Sequence, residues 1–132
     1  MQRMKTMILA AAMALSAVAT MQIYAASDSG TLSMTGGTMA CHASVVCHDR
    51  IATATTSVVP NESSRCYVYI MGVSQNGGQE YIKKDSKDNY HGEDVSVSIT
   101  PDAYAFDYAT SNHIVSYGSS TWSTSLLQRV TN

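Results

Sequence analysis

Charge is scarce in this chain of 132 residues: Asp, Glu, Lys and Arg make up 14% of it, and the formal net charge is −2. The cationic side chains are scattered, so no basic stripe runs through the sequence, which argues against a nucleic-acid partner. Leu, Glu and Lys are sparse, and no window of helix length carries an apolar stripe at helical spacing, which argues against a helical bundle. Catalytic signatures are missing as well. Neither Gly-x-Ser-x-Gly nor His-Glu-x-x-His occurs. Serine is so abundant that a nucleophile–base set could be drawn on paper anywhere, and a Cys/His pair such as Cys47 with His113 has no oxyanion nest or cleft written around it. No enzyme and no cofactor is expected, and a small hydrolase is kept only as a third alternative.

What is present begins at the N-terminus. Arg3 and Lys5 precede the apolar run Met7-Ile8-Leu9-Ala10-Ala11-Ala12-Met13-Ala14-Leu15, and small residues follow through Ala19. A basic start, an apolar stretch and then small residues is the order read by the export machinery. Ser16, Thr20 and Gln22 interrupt the run, and Ala dominates it, which disfavours a spanning helix. Cleavage fits after Ala19 or after Ala25, and the latter lies nearer the polar sequence that starts at Ser27. Residues 1–25 are therefore expected to be a signal peptide, and residues 26–132 one extracellular domain with no stable membrane insertion. The first cysteine, Cys41, lies too far downstream for lipid attachment at the cleavage site. Cleavage removes two cations and no acid, moving the net charge from −2 to −4.

Beyond Ala25 the sequence is rich in Thr, Ser, Val, Tyr and Ile, which favours strands. Gly36-Gly37, Pro60-Asn61, Asn76-Gly77-Gly78, Gly92, Pro101 and Gly118 cut it into strand-length pieces. With residues 26–30 read as a flexible start, strands are expected at 31–35, 38–48, 51–59, 66–74, 79–83, 94–100, 103–108, 113–117 and 121–129. Residues 84–94 read as a polar loop. Asn76-Gly77-Gly78 is a hairpin signal. The fold class expected is all-β, a small antiparallel sandwich, with a small barrel as the alternative. Val95/Val97/Ile99, Val68/Ile70 and Tyr104/Phe106/Tyr108 are assigned to the core, with Trp122 and Leu126 beside them on one strand face.

Three cysteines, Cys41, Cys47 and Cys66, allow at most one internal bridge. Six residues of extended strand put Cys41 and Cys47 about 20 Å apart, so those two cannot bond to each other. A bridge would join Cys66 to one of them; Cys47–Cys66 closes the shorter loop, and Cys41–Cys66 stays open. The sulfur left over is either buried or couples two chains into a disulfide-linked dimer. The pattern Cys41-His42-x4-Cys47-His48 suggests a metal, since these are zinc and copper ligands. Strand alternation separates the members, with the two thiols on one face and the two imidazoles on the other, so no metal site is assigned. The segment Asp85–Asp94 has the oxygen donors of a calcium loop, but Lys87 and Tyr90 fall where a ligand and a Gly belong. Asn61-Glu62-Ser63 fits the N-glycosylation pattern.

The stretch Ser111-Asn112-His113-Ile114-Val115-Ser116-Tyr117-Gly118-Ser119-Ser120-Thr121-Trp122-Ser123 resembles the ends of small exported β-rich proteins of Gram-positive bacteria. That resemblance implies secretion and all-β architecture and carries no activity. Small exported β-sandwich bacteriocins are similar in size and export; their tryptophan-rich Gly-Gly-Thr-Trp segments are absent here. One functional expectation is a non-enzymatic binding module at the cell exterior. With the Val68/Ile70 face in the core, Tyr67, Tyr69 and Met71 line the opposite face as a contact strip for a cell-surface protein or a glycan. A bacteriocin-like antagonist of another cell's envelope is the alternative, which the negative charge opposes.

Overall fold

The computed structural model describes residues 26–60 and 64–130. The apolar N-terminal run and the Asn61–Ser63 glycosylation pattern lie outside the described residues. Eight strands form: β1 (Ala26–Met34), β2 (Gly37–Cys47), β3 (Ala52–Val59), β4 (Arg65–Asn76), β5 (Gln79–Asn89), β6 (Val95–Ile99), β7 (Tyr108–Tyr117) and β8 (Ser120–Arg129). They build two antiparallel four-stranded sheets, ordered β1-β2-β3-β6 and β5-β4-β7-β8. The sheets stack as a sandwich and do not merge into a barrel.

Alternation dictates the layers. β2 and β3 bury every second residue, as do Val95, Val97 and Ile99 of β6. Cys66, Val68 and Ile70 of β4, with Ala109 and Val115 of β7, face them from the other sheet. Trp122 and Leu126 pack against this core from β8, as their spacing implied. β1 lies over β8, β2 over β7 and β8, β3 over β4 and β7, and β6 over β5 and β4. Both lateral openings are narrow: Cα atoms of β1 and β8 approach within 8 Å on one side, and those of β5 and β6 do so on the other.

Three departures from the sequence reading have physical causes. Residues 26–30 are strand rather than a flexible start: β1 pairs with β2 from Ala26↔Val45 onward, so partner hydrogen bonds override a Ser/Asp/Gly composition of low β-propensity. β5 continues through residues 84–89, read as loop, because its ladder with β4 runs unbroken from Asn76↔Gln79 to Cys66↔Asn89. Its hydrophilic side chains reflect exposure on both faces, not lack of structure.

Residues 103–107 are not a strand. They form a looped brace across one end of the sandwich. Phe106 is buried; Tyr104 is 41% exposed, and Tyr108 is half-buried on the outer face of β7, so only Phe106 of the three assigned core aromatics belongs there. Phe106 fits because residue 72 is Gly: a Cβ there would stand 2.5 Å from the phenyl ring. Gly30 has the same function for the Trp122 indole on the opposite flank. The brace is fastened by Phe106 N–H to Asp49 C=O (2.9 Å), Asp107 N–H to Val73 C=O (2.7 Å) and Gln75 N–H to the Asp107 carboxylate (2.6 Å). The β4–β5 hairpin turns at Gly77-Gly78, both at positive φ (62° and 83°), as the Asn-Gly-Gly signal requires.

Candidate contact surface

The two outer faces of the sandwich differ in chemistry. On the first sheet, alternation turns Ser29, Thr31, His42, Ser44, Thr53, Thr55, Ser96 and Ser98 outward. Several hydroxyls there satisfy one another, Thr53 with Ser98 at 2.8 Å and Thr55 with Ser96 at 3.0 Å. That is a solvated face.

The outer face of the second sheet is apolar along its middle. β4 lies between β5 and β7 and turns Tyr67, Tyr69 and Met71 outward, each half-buried, while Cys66, Val68 and Ile70 point into the core. The register then sets their neighbours. Met71 lies between Lys84 and Thr110, with Leu127 beyond. Tyr69 lies between Ser86 and Asn112, with Ser125 beyond. Tyr67 lies between Asp88 and Ile114. A fourth row holds Ile82, Val73 and Tyr108. The three contact residues named from β4 thus share one face. Ile82, Tyr108, Ile114 and Leu127 extend it and were not named; the signal for Ile114 was there, since placing His113 and Val115 inward turns it outward.

Charges sit at the margins and are mostly compensated. Arg65 Nε donates to Asp88 Oδ1 at 2.9 Å, and its guanidinium lies 5.1 Å from the Tyr67 ring centre and 5.9 Å from that of Tyr90. Arg129 lies 5.5 Å from the Tyr108 ring centre. Between them, Ser125 Oγ donates to Asn112 Oδ1 at 2.7 Å.

The remaining nucleophilic and titratable groups lie in the interior. His113 is wholly buried, deeper than a half-buried sheet residue. Thr56 Oγ1 donates to the Tyr67 carbonyl (3.0 Å) and lies 2.8 Å from His113 Nδ1, while Ser111 Oγ lies 2.7 Å from His113 Nε2. Thr56 has one hydrogen and gives it to the carbonyl, so the ring must donate from Nδ1 and accept from Ser111 at Nε2. Burial, with a smaller effect of His42, lowers the His113 pKa to about 3, so the ring is neutral. The Ser111–His113 pair has a dyad's spacing, but the residues are 1% and 0% exposed, so a substrate would have to part the sheets to reach it.

All three cysteines are buried free thiols. The expected disulfide is therefore corrected. Cys41 and Cys47 share β2, and no Cα of β2 comes within 8 Å of a Cα of β4, where Cys66 resides. Disulfides need Cα atoms within about 7 Å, so neither Cys47–Cys66 nor Cys41–Cys66 can close. The cause is the layering, which sets β2 over β7 and β8. Burial pushes the Cys41 thiol up to about 11, with Cys66 adding to it, and the Cys47 thiol up to about 12, with Asp107 adding. His42 and His48 are exposed on the far side of β2 from the thiols, and no cluster of three metal-ligating side chains occurs among the described residues. Asp85 and Lys87 are strand residues of β5, not members of a calcium loop.

Among the described residues, no helix is long and apolar enough to cross a membrane. Comparison of the chain with protein-family models, with curated proteins and with solved structures finds no match.

Proposed function

We propose that this protein is an exported, non-enzymatic binding module whose contact surface is the outer face of the second sheet, centred on Tyr67, Tyr69 and Met71. The observation that carries the reading is the contrast between the two outer faces. One is a hydroxyl-covered face that satisfies itself, and the other sets two tyrosines, a methionine and flanking aliphatics on a central strand with no element of the chain laid over them. Contiguous exposed apolar area of this kind marks interaction sites, and Tyr, Met and Arg are enriched in them. Export is supported by the basic-then-apolar order of residues 1–25.

The test is binding of the purified protein to cells and to glycan arrays, with and without the double change Tyr67→Ser plus Tyr69→Ser. Both side chains point away from the core, so circular dichroism and melting should be little altered while binding is lost. Unchanged binding by the double variant removes this face from consideration.

A further inference from the structure

From the composition around the tyrosines we infer that the partner is an uncharged glycan, seated on the Tyr67–Tyr69 segment of β4; this rests on the reading of that face as the contact surface. Side-chain chemistry on the second sheet changes from row to row. The Met71 and Val73 rows are flanked by Leu127 and by Ile82 and Tyr108. The Tyr69 row is instead bordered by Ser86 on one side and by Asn112 and Ser125 on the other. An aromatic ring offers its face to the C–H surface of a sugar, and amides and hydroxyls beside it meet the sugar's hydroxyl groups. A protein partner would be better met by an apolar centre with a polar rim, whereas here the polar groups stand in the middle of the face.

Two further observations narrow the class. Asn112 accepts from Ser125 with its side-chain oxygen, and among the described residues no hydrogen bond engages its amide nitrogen, which keeps two donors for a ligand. The one carboxylate next to Tyr67 is neutralised: Asp88 takes two hydrogen bonds from Arg65, at 2.9 and 3.3 Å. The centre of the surface therefore has no net charge with which to select an anionic or cationic ligand. Tyr67 and Tyr69 project about 7 Å apart along β4, so successive sugar rings of one chain can each meet an aromatic face.

The experiment is an array of neutral oligosaccharides probed with the purified protein and with Tyr69→Ser, Tyr69→Trp and Asn112→Ala, each checked for folding by circular dichroism. Binding of a neutral saccharide that falls tenfold or more in Tyr69→Ser and in Asn112→Ala, and that survives in Tyr69→Trp, supports the inference. Saccharide binding equal in all four proteins places the site elsewhere and overturns both the inference and the contact-surface reading. No saccharide binding, together with cell binding that the tyrosine changes abolish, overturns the glycan and leaves the contact surface standing. No binding to either overturns both.

Discussion

Acid should unfold this protein through His113. The ring is buried between the sheets and uses both nitrogens, donating to Thr56 and accepting from Ser111. A second ring proton would have to be held in a dry core, against a serine hydroxyl that already points its own hydrogen at Nε2. The native pKa of about 3 thus lies below the unfolded value near 6.5. The unfolded chain binds the extra proton more readily, so this contribution to stability is complete above about pH 6.5 and drains away as pH falls toward about 3. Between pH 8 and about pH 5 the two pKa values give a loss of about 2 kcal/mol, a large fraction of a small domain's stability. Urea titrations at the two pH values measure it in the wild type. In His113→Asn, which is less stable throughout but has no imidazole at this site, that increment should vanish. The exposed rings His42, His48 and His91 remain in both proteins and serve as the internal control. Proton NMR of the wild type offers a second readout, in which the His113 ring signals should stay those of a neutral imidazole down to about pH 4. A pH-induced loss that is the same in both proteins, or a His113 ring that titrates near 6.5, would refute the reasoning.

Other outcomes follow from the packing. Gly72→Ala should destabilise by about 1–3 kcal/mol, because the new Cβ meets the Phe106 ring, itself wedged under the brace; Phe106→Ala in the same background should recover part of the loss, measured by thermal melting. Unfolded without reductant, the protein should yield three titratable thiols, and in its native state almost none within the same labelling time. Asp107→Ala should cost about 1–2 kcal/mol by leaving the Gln75 amide without its carboxylate, and hydrogen exchange at Gln75 should rise well above that in the β7–β8 hairpin.

The sandwich was legible because alternation is local: Val95/Val97/Ile99 and Val68/Ile70 declare their inner face within five residues. What sat on the second face of β4 was legible for the same reason. Pairing was not. The polar β1 and the outer half of β5 are strands only because a partner's ladder holds them, and nothing in Ala-Ser-Asp-Ser-Gly or Lys-Asp-Ser-Lys-Asp announces that partner. Tyr104/Phe106/Tyr108 showed the opposite failure. Their alternation imitates a strand while the backbone bends after Pro101 and buries only the middle ring. The His113 network joins residues 57 apart in sequence, Thr56 to His113, so its members could be named but not assembled. The disulfide failed at the same point, since which strands face each other across the layers is a property of the whole topology.

The near approach of β1 to β8 and of β5 to β6 has a bearing on how these molecules can associate. A neighbour in extended conformation finds no unobstructed rail along which to add itself, and the Lys83, Lys84 and Lys87 ammonium groups on β5 repel an identical edge. High local concentrations should accordingly leave the molecules as separate particles, and any higher-order assembly has to be made through broad faces, where side chains set the specificity, not through backbone zippering.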